Sequence, residues 1–246
     1  MRILLHDISD VHELKVYDTA ELYGVKGRYR VLEFSDQAVQ GAMDLDDPAR
    51  IVLEYPRAII HLMDANHPDF EAAFLIGHGI GTIVRHYAGR RMTAAEVDPR
   101  VAELACTYFG SEAESVRIGD GRELLEWEAA DTLDYMIVDA FTKEGTPRHL
   151  VSAEFFKMAS EKLHDQGAVI MNLIGRGTKD PYIRAIHTTL QTVFAYTKAF
   201  FLSDRRTDMQ NIILIGAAHP IRYQERHMAG FREAGLDEGY IITDRL

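Results

Sequence analysis

The sequence predicts an α/β domain on a doubly wound, seven-stranded, mostly parallel sheet, preceded by a small β-rich element. Three observations carry this. From residue 71 onward, short apolar runs alternate with amphipathic stretches, as when crossover helices bury both faces of a sheet. One run leads directly into a glycine-rich turn at 77–81. Before residue 69 the alternation is absent, and β-prone runs separated by glycines replace it.

In the first region, 1–68, residues 14–17 and 29–34 read as strands, with Gly24 and Gly27 between them for a hairpin-like turn. Residues 51–63 carry apolar side chains at 52, 55, 59, 62 and 63, a helical stripe interrupted early by Pro56. The tract 66–69 reads as a linker into the second region, 69–246. There the strand candidates are 72–76, 93–97, 115–118, 135–138, 168–173, 197–202 and 211–215. Between them, 101–109 and 154–163 have helical periodicity, and Phe155, Met158, Ala159 and Leu163 form a core stripe. The last two strands are separated only by 203–210, too short for a helical crossover, so they are expected to be antiparallel neighbours.

Composition excludes several functions. A single cysteine, Cys106, removes disulfide frameworks and cysteine zinc sites and fits the cytoplasm. The net charge of -11 opposes nucleic-acid binding. The opening MRILLHDISD places charges too early for a signal peptide, and no apolar stretch approaches the roughly 20 residues that span a bilayer. No His-Glu-x-x-His, Gly-x-Ser-x-Gly or Gly-Lys phosphate loop occurs, so no metal is expected. Most histidines are assigned to structure or surface; His78 is the exception, because it sits in the glycine turn. Trp127 and Tyr135 are expected in the core or in a ligand wall.

Chemistry concentrates at successive strand ends. Gly77, Gly79 and Gly81 let the chain turn tightly and a ligand approach the backbone, although a purely structural turn would need the same residues. Thr82 stands where a dinucleotide fingerprint has its third glycine, which argues against NAD. Glu96 ends the next strand, where an acid accepts hydrogen bonds from ribose hydroxyls; a surface carboxylate is the bland alternative. Asp98, followed by Pro99, reads as a helix cap. Asp120, beside Gly121, and Asp139 end the third and fourth strands. Ligands of open α/β sheets bind at this edge.

These residues resemble the class I AdoMet-dependent, Rossmann-like fold and, more narrowly, the spermidine synthase (polyamine aminopropyltransferase) family. The likeness covers about residues 30–215 and runs through Val39-Gln40, Tyr55, 77–81, 96–99, 119–122, 138–139 and 154–156. It implies that Gln40 and Glu96 contact the nucleoside of decarboxylated AdoMet, the co-substrate, and that Asp120 reads the adenine amino group. It casts Asp139 as the base that deprotonates an amine acceptor, Tyr55 as a wall of the amine pocket, and 141–152 as a closing loop. A homodimer is also implied. Three positions depart from the pattern: Ile80 replaces an Asp that holds the donor's amine, Thr142 a second acid after the catalytic one, and Arg57 a Glu of the amine pocket. Glu144 offers a replacement carboxylate.

The leading expectation is therefore aminopropyl transfer to a di- or polyamine, with Arg57 and Thr142 as candidate substrate contacts. An AdoMet-dependent alkyl- or methyltransferase, with Arg57 binding a substrate carboxylate, is the alternative enzyme. A non-catalytic nucleoside-binding module is the third reading.

Overall fold

The computed structural model describes residues 1–8, 13–34, 39–142, 145–202 and 209–245. Strands β1 (Arg2–Ile8), β2 (Glu13–Leu22), β3 (Val25–Phe34) and β4 (Val39–Asp44) pair antiparallel, in that order, as an amino-terminal sheet. Tyr23 and Gly24, both at positive φ, join β2 to β3, the geometry that a two-residue hairpin loop demands. Gly27 lies inside β3 rather than in the turn. Strands β1 and β4 were not expected. β1 carries His6 and Asp7, and β4 contains a glycine and ends in Asp, so neither has a β-prone composition.

Both faces of this sheet are covered. Leu14, Val16 and Leu32 join Ile80, Val101, Leu104 and Phe109 of the second region in one apolar cluster. Tyr17, Tyr29 and Val31 form another with Leu53. Helix α1 (Glu54–Asn66) follows, and Pro56 falls within its first turn, where no intrahelical donor is lost. Ala58, Ile59, Leu62 and Met63 of α1 pack against the second sheet. The tract expected as a linker begins with buried Asn66, whose amide donates to the carbonyls of Leu62 and Arg222 and accepts from the Arg222 N–H.

The second sheet contains β5 (Ala72–Ile76), β6 (Arg91–Glu96), β7 (Val116–Ile118), β8 (Leu133–Val138), β9 (Leu163–Gly175), β10 (Tyr196–Phe201), β11 (Gln210–Ala217) and β12 (Arg232–Glu233). Their order is β12-β10-β11-β9-β8-β5-β6-β7. The pairs from β9 to β7 are parallel, whereas β11 is antiparallel to both β9 and β10. The seven expected strands are present, and an eighth corrects the count. β12 is a two-residue edge strand pairing with Phe200 and Phe201, too short to impose a periodicity. Helices α2 (Thr82–His86), α3 (Pro99–Phe109), α4 (Gly121–Glu126), α5 (Ala153–Lys162) and α6 (Pro181–Gln191) connect the strands. Asp98 caps α3, accepting from the Arg100 N–H. Phe155, Ala159 and Leu163 are buried as expected, as is Tyr135, but Trp127 is 84% exposed just after α4 and is no core residue.

Central strands β5 and β8 are buried at every position, which explains their unbroken apolar sequence. The chain leaves β5 for β6 and β7, then returns to β8 on the other side of β5. The crevice at this reversal, beyond the carboxyl ends of β5 and β8, is where such sheets bind ligands. Among the described residues no helix is long and apolar enough to cross a membrane.

The carboxyl-terminal segment is fastened to the same edge. Ile242 is buried, donates its N–H to Thr189 Oγ1 and accepts from the Ala153 N–H. Asp244 accepts two hydrogen bonds from the Arg122 guanidinium, at 2.8 and 2.6 Å. That guanidinium holds the Asp244 carboxyl down at about 2. A carboxyl lowered on folding adds stability above its unfolded pKa and loses it as pH falls through the folded value. Asp244→Asn should cost about 1 kcal/mol at pH 7 by urea denaturation. The gap to the parent should narrow as pH drops from about 4 towards 2; a gap independent of pH would refute this role.

Candidate active site

The site begins with a backbone contact. The Gly77 N–H donates to the Ala95 carbonyl at 2.9 Å, and the Asp139 N–H donates to the Ile76 carbonyl at 2.8 Å. These bonds bring the ends of β5, β6 and β8 together. Gly77 has φ +95°, and a Cβ there would lie 2.0 Å from the Asp139 carbonyl oxygen. Only glycine permits this approach.

Buried Glu96 organises the turn from the side. Its Oε2 accepts from the His78 N–H at 3.1 Å and its Oε1 from the Asp98 N–H at 3.0 Å. Burial pushes its carboxyl upward although these amides pull the other way. A carboxylate has about four acceptor sites, so room for ribose hydroxyls remains. Asp120 caps α4 with Oδ1, accepting from the N–H groups of Arg122 and Glu123, while its Oδ2 lies 2.9 Å from His149 Nε2. Gly121 allows α4 to sit directly on Ile76, whose Cγ2 would lie 2.3 Å from an added Cβ.

Asp139 lies at the centre. Burial raises its carboxyl to about 6, with Glu96 adding to the rise. Asn172 Nδ2 donates to its Oδ1 at 2.8 Å, and the Tyr55 hydroxyl bonds to it as well. Among the described residues no cation forms an ion pair with Asp139. A carboxylate poised near 6 and lacking a cation partner is equipped to accept a proton. The Tyr55 hydroxyl also lies 3.5 Å from the Gln40 carbonyl oxygen, and burial keeps it protonated. A narrow cleft opens here, about 320 Å³ counting its mouth, and Gln40, Tyr55, Gly77, Gly79 and Asp139 line it.

The structure thus brings most of the expected residues to one strand edge. Glu96 and Asp120 lie on it beside the cleft rather than in its wall, and Gly81 begins α2 as its cap. Two candidate substrate contacts need correction. Arg57 is two residues beyond Tyr55, hence turned about 200° around α1; it donates to the Leu53 carbonyl and lies 3.6 Å from Glu54, outside the cleft. Thr142 is exposed, with its hydroxyl donating to the Gly145 carbonyl, and is also outside the cleft. Glu144 lies outside the described residues. Asn172 was missed, although a lone amide within the apolar run of β9 was a legible signal. His78 is buried against Ser111, with its Nε2 2.7 Å from Ser111 Oγ, and burial lowers it to about 4. Among the described residues no group of three acidic, His or Cys side chains is placed to hold a metal ion.

Parallel sheet, glycine turn and strand-end acids define a class I methyltransferase-like protein. Within that class, the chain belongs to the spermine/spermidine synthase family, whose domain model matches residues 53–217. It is 33% identical over 132 residues to a probable polyamine aminopropyl transferase of Bifidobacterium longum, covering 50% of this chain and 29% of that one. It is 28% identical over 158 residues to a polyamine aminopropyltransferase of Chromobacterium violaceum, covering 60% and 59%. The chain therefore spans less than two thirds of the length of these curated relatives. The structure of a probable spermidine synthase from Corynebacterium glutamicum superposes with a TM-score of 0.80 at 19% identity, covering 100% of this chain and 99% of that one.

Two stability predictions follow from the geometry. Gly77→Ala should lose more than about 4 kcal/mol or fail to fold. Gly89, at φ +98° with nothing within 4 Å of an added Cβ, is the control; Gly89→Ala should cost only about 1–2 kcal/mol of backbone strain in the same urea titration. Comparable losses at both positions would refute the Gly77 contact. For Asp139 the sign is reversed: a carboxyl raised on folding loses stability as pH rises from about 4 to about 6. Asp139→Asn should therefore be more stable than the parent by about 1 kcal/mol at pH 7.5, with the difference closing near pH 4. A less stable variant at pH 7.5 would contradict the buried, unpaired carboxylate.

Proposed function

We propose that the chain is an aminopropyltransferase that moves the aminopropyl group of decarboxylated AdoMet to an amine. The observation that carries this is Asp139, a buried carboxylate without a cation partner among the described residues, facing a cleft at the sheet's topological switch. The relatives' names point to the same reaction class.

The donor's nucleoside would lie across the glycine turn, with its ribose hydroxyls on Glu96 and its adenine amino group on Asp120 Oδ2, where His149 now sits. Gln40 would close the nucleoside side of the cleft. The sulfonium makes its neighbouring carbon electrophilic, so the main requirement is alignment. The acceptor nitrogen forms a bond to that carbon, the carbon–sulfur electron pair stays on sulfur, and methylthioadenosine leaves. Asp139 takes the proton from the nitrogen, held in place by Asn172 and Tyr55. Two neighbouring acids, Asp139 and Glu96, favour a cationic donor. Arg57, turned out of the cleft, gives no support to a carboxylate-bearing substrate.

A homodimer and a cytoplasmic location belong to the same proposal. Ile3 and Ile8, 52% and 70% exposed on edge strand β1, support the first, and the lone cysteine supports the second.

Methylthioadenosine release measures the reaction. Asp139→Asn should lower kcat at least tenfold while methylthioadenosine binding by calorimetry stays near the parent's. In the parent, kcat/KM should climb about tenfold per pH unit below about 6 and lose that acid limb above it. Wild-type turnover in the Asn variant would exclude Asp139 as the base.

A further inference from the structure

We propose that His149 is a latch on Asp120 that the donor's nucleobase must displace; this rests on the reading that seats the adenine amino group at Asp120, and it adds a competitor for that seat. Asp120 Oδ1 is committed to its own helix, accepting from the Arg122 and Glu123 N–H groups at 2.9 and 3.2 Å. Oδ2 is the oxygen left for a further donor, and His149 Nε2 lies 2.9 Å from it. A carboxylate only accepts, so the imidazole proton sits on Nε2. The adenine amino group is a donor of the same kind and competes for the same oxygen.

The backbone beneath His149 is fixed. Its carbonyl accepts from Arg122 Nη1 at 3.0 Å, and Asp244 holds the same guanidinium. Arg148 donates to the carbonyls of Thr243 and Arg245 in the carboxyl-terminal segment. That segment is itself seated on α6. Gly239 donates its N–H to Thr188 Oγ1, and an added Cβ there would lie 2.5 Å from the Ala185 nitrogen. Leu150 and Val151, 2% and 0% exposed, sink the other end of the turn into the core. Arg148–Leu150 therefore stays in place, and only the His149 side chain can leave Asp120.

Leaving is feasible because the two side chains are 45% and 36% exposed, so water replaces each partner as they part. An exposed side chain changes rotamer within about nanoseconds, far faster than turnover at roughly 1–10³ s⁻¹. The latch therefore acts on affinity and not on the rate of entry. The competent protein is the fraction with His149 swung out, and the apparent dissociation constant rises as that fraction falls.

The test is calorimetry of methylthioadenosine with the full chain and its variants. His149→Ala should lower the dissociation constant about three- to tenfold, the reach of one exposed hydrogen bond. His149→Gln, which carries an N–H at a similar distance from the backbone, should bind like the parent. Methylthioinosine has an oxygen in place of the amino group, so His149→Ala should not tighten it. A merely loosened structure would move both nucleosides alike, and equal tightening of the two overturns the latch. An unchanged or higher dissociation constant for methylthioadenosine in His149→Ala means that Oδ2 serves both donors at once; it overturns the latch and leaves the aminopropyltransferase reading standing. No methylthioadenosine binding by the parent or either variant overturns both.

Discussion

The structure depends on the approach of Gly77 to the backbone of Asp139. At the end of β5 there is no space for a Cβ, because the carbonyl oxygen of Asp139, the residue following β8, occupies it. That contact sets the distance between the turn and the acid, and so the width of the cleft. It also explains why the turn can cradle a ligand: the backbone itself is the surface presented. Gly121 repeats the device one helix away, against Ile76.

Charge is then placed on this frame at a cost. Asp139 and Glu96 both lie in surroundings that raise their carboxyls, burial first, with Glu96 adding to the rise of Asp139 and Asp98 to that of Glu96. Glu96 is compensated by two backbone N–H groups, which makes it part of the turn's architecture as well as a candidate ribose ligand. Among the described residues Asp139 has neutral donors only, Asn172 and Tyr55, which orient a carboxylate without neutralising it. A site that holds one uncompensated negative charge is suited to a cationic substrate and to proton removal.

The amino-terminal sheet is part of the site's wall. Gln40, on β4, and Tyr55, at the start of α1, reach the cleft from one side, and the β2–β3–β4 face grips Ile80 from the other. Ile80 is a packing contact between the two sheets, 2% exposed. On the opposite flank, the tail anchored by Ile242 and Asp244 steadies Arg122, adjacent to Asp120 and Gly121.

Much of this was legible because it is local. Strand runs buried on both faces, the Asp98-Pro99 cap, the glycine turn and the acids at strand ends each leave a signature within a few residues. The central strands, the antiparallel final pair and the strand-edge positions of Glu96, Asp120 and Asp139 all followed from such signatures. Tertiary structure alone decided what required two distant segments at once. β1, β4 and β12 owe their existence to partners rather than to composition, and Asn172 becomes a partner of Asp139 only when β9 lies beside β8. Arg57 and Tyr55 look equivalent in sequence, yet the helical turn sends one to solvent and the other to the cleft. Residue types and their spacing settle local geometry and a fold class, whereas burial, and with it the charge a side chain carries, is set by whatever the folded chain packs against it.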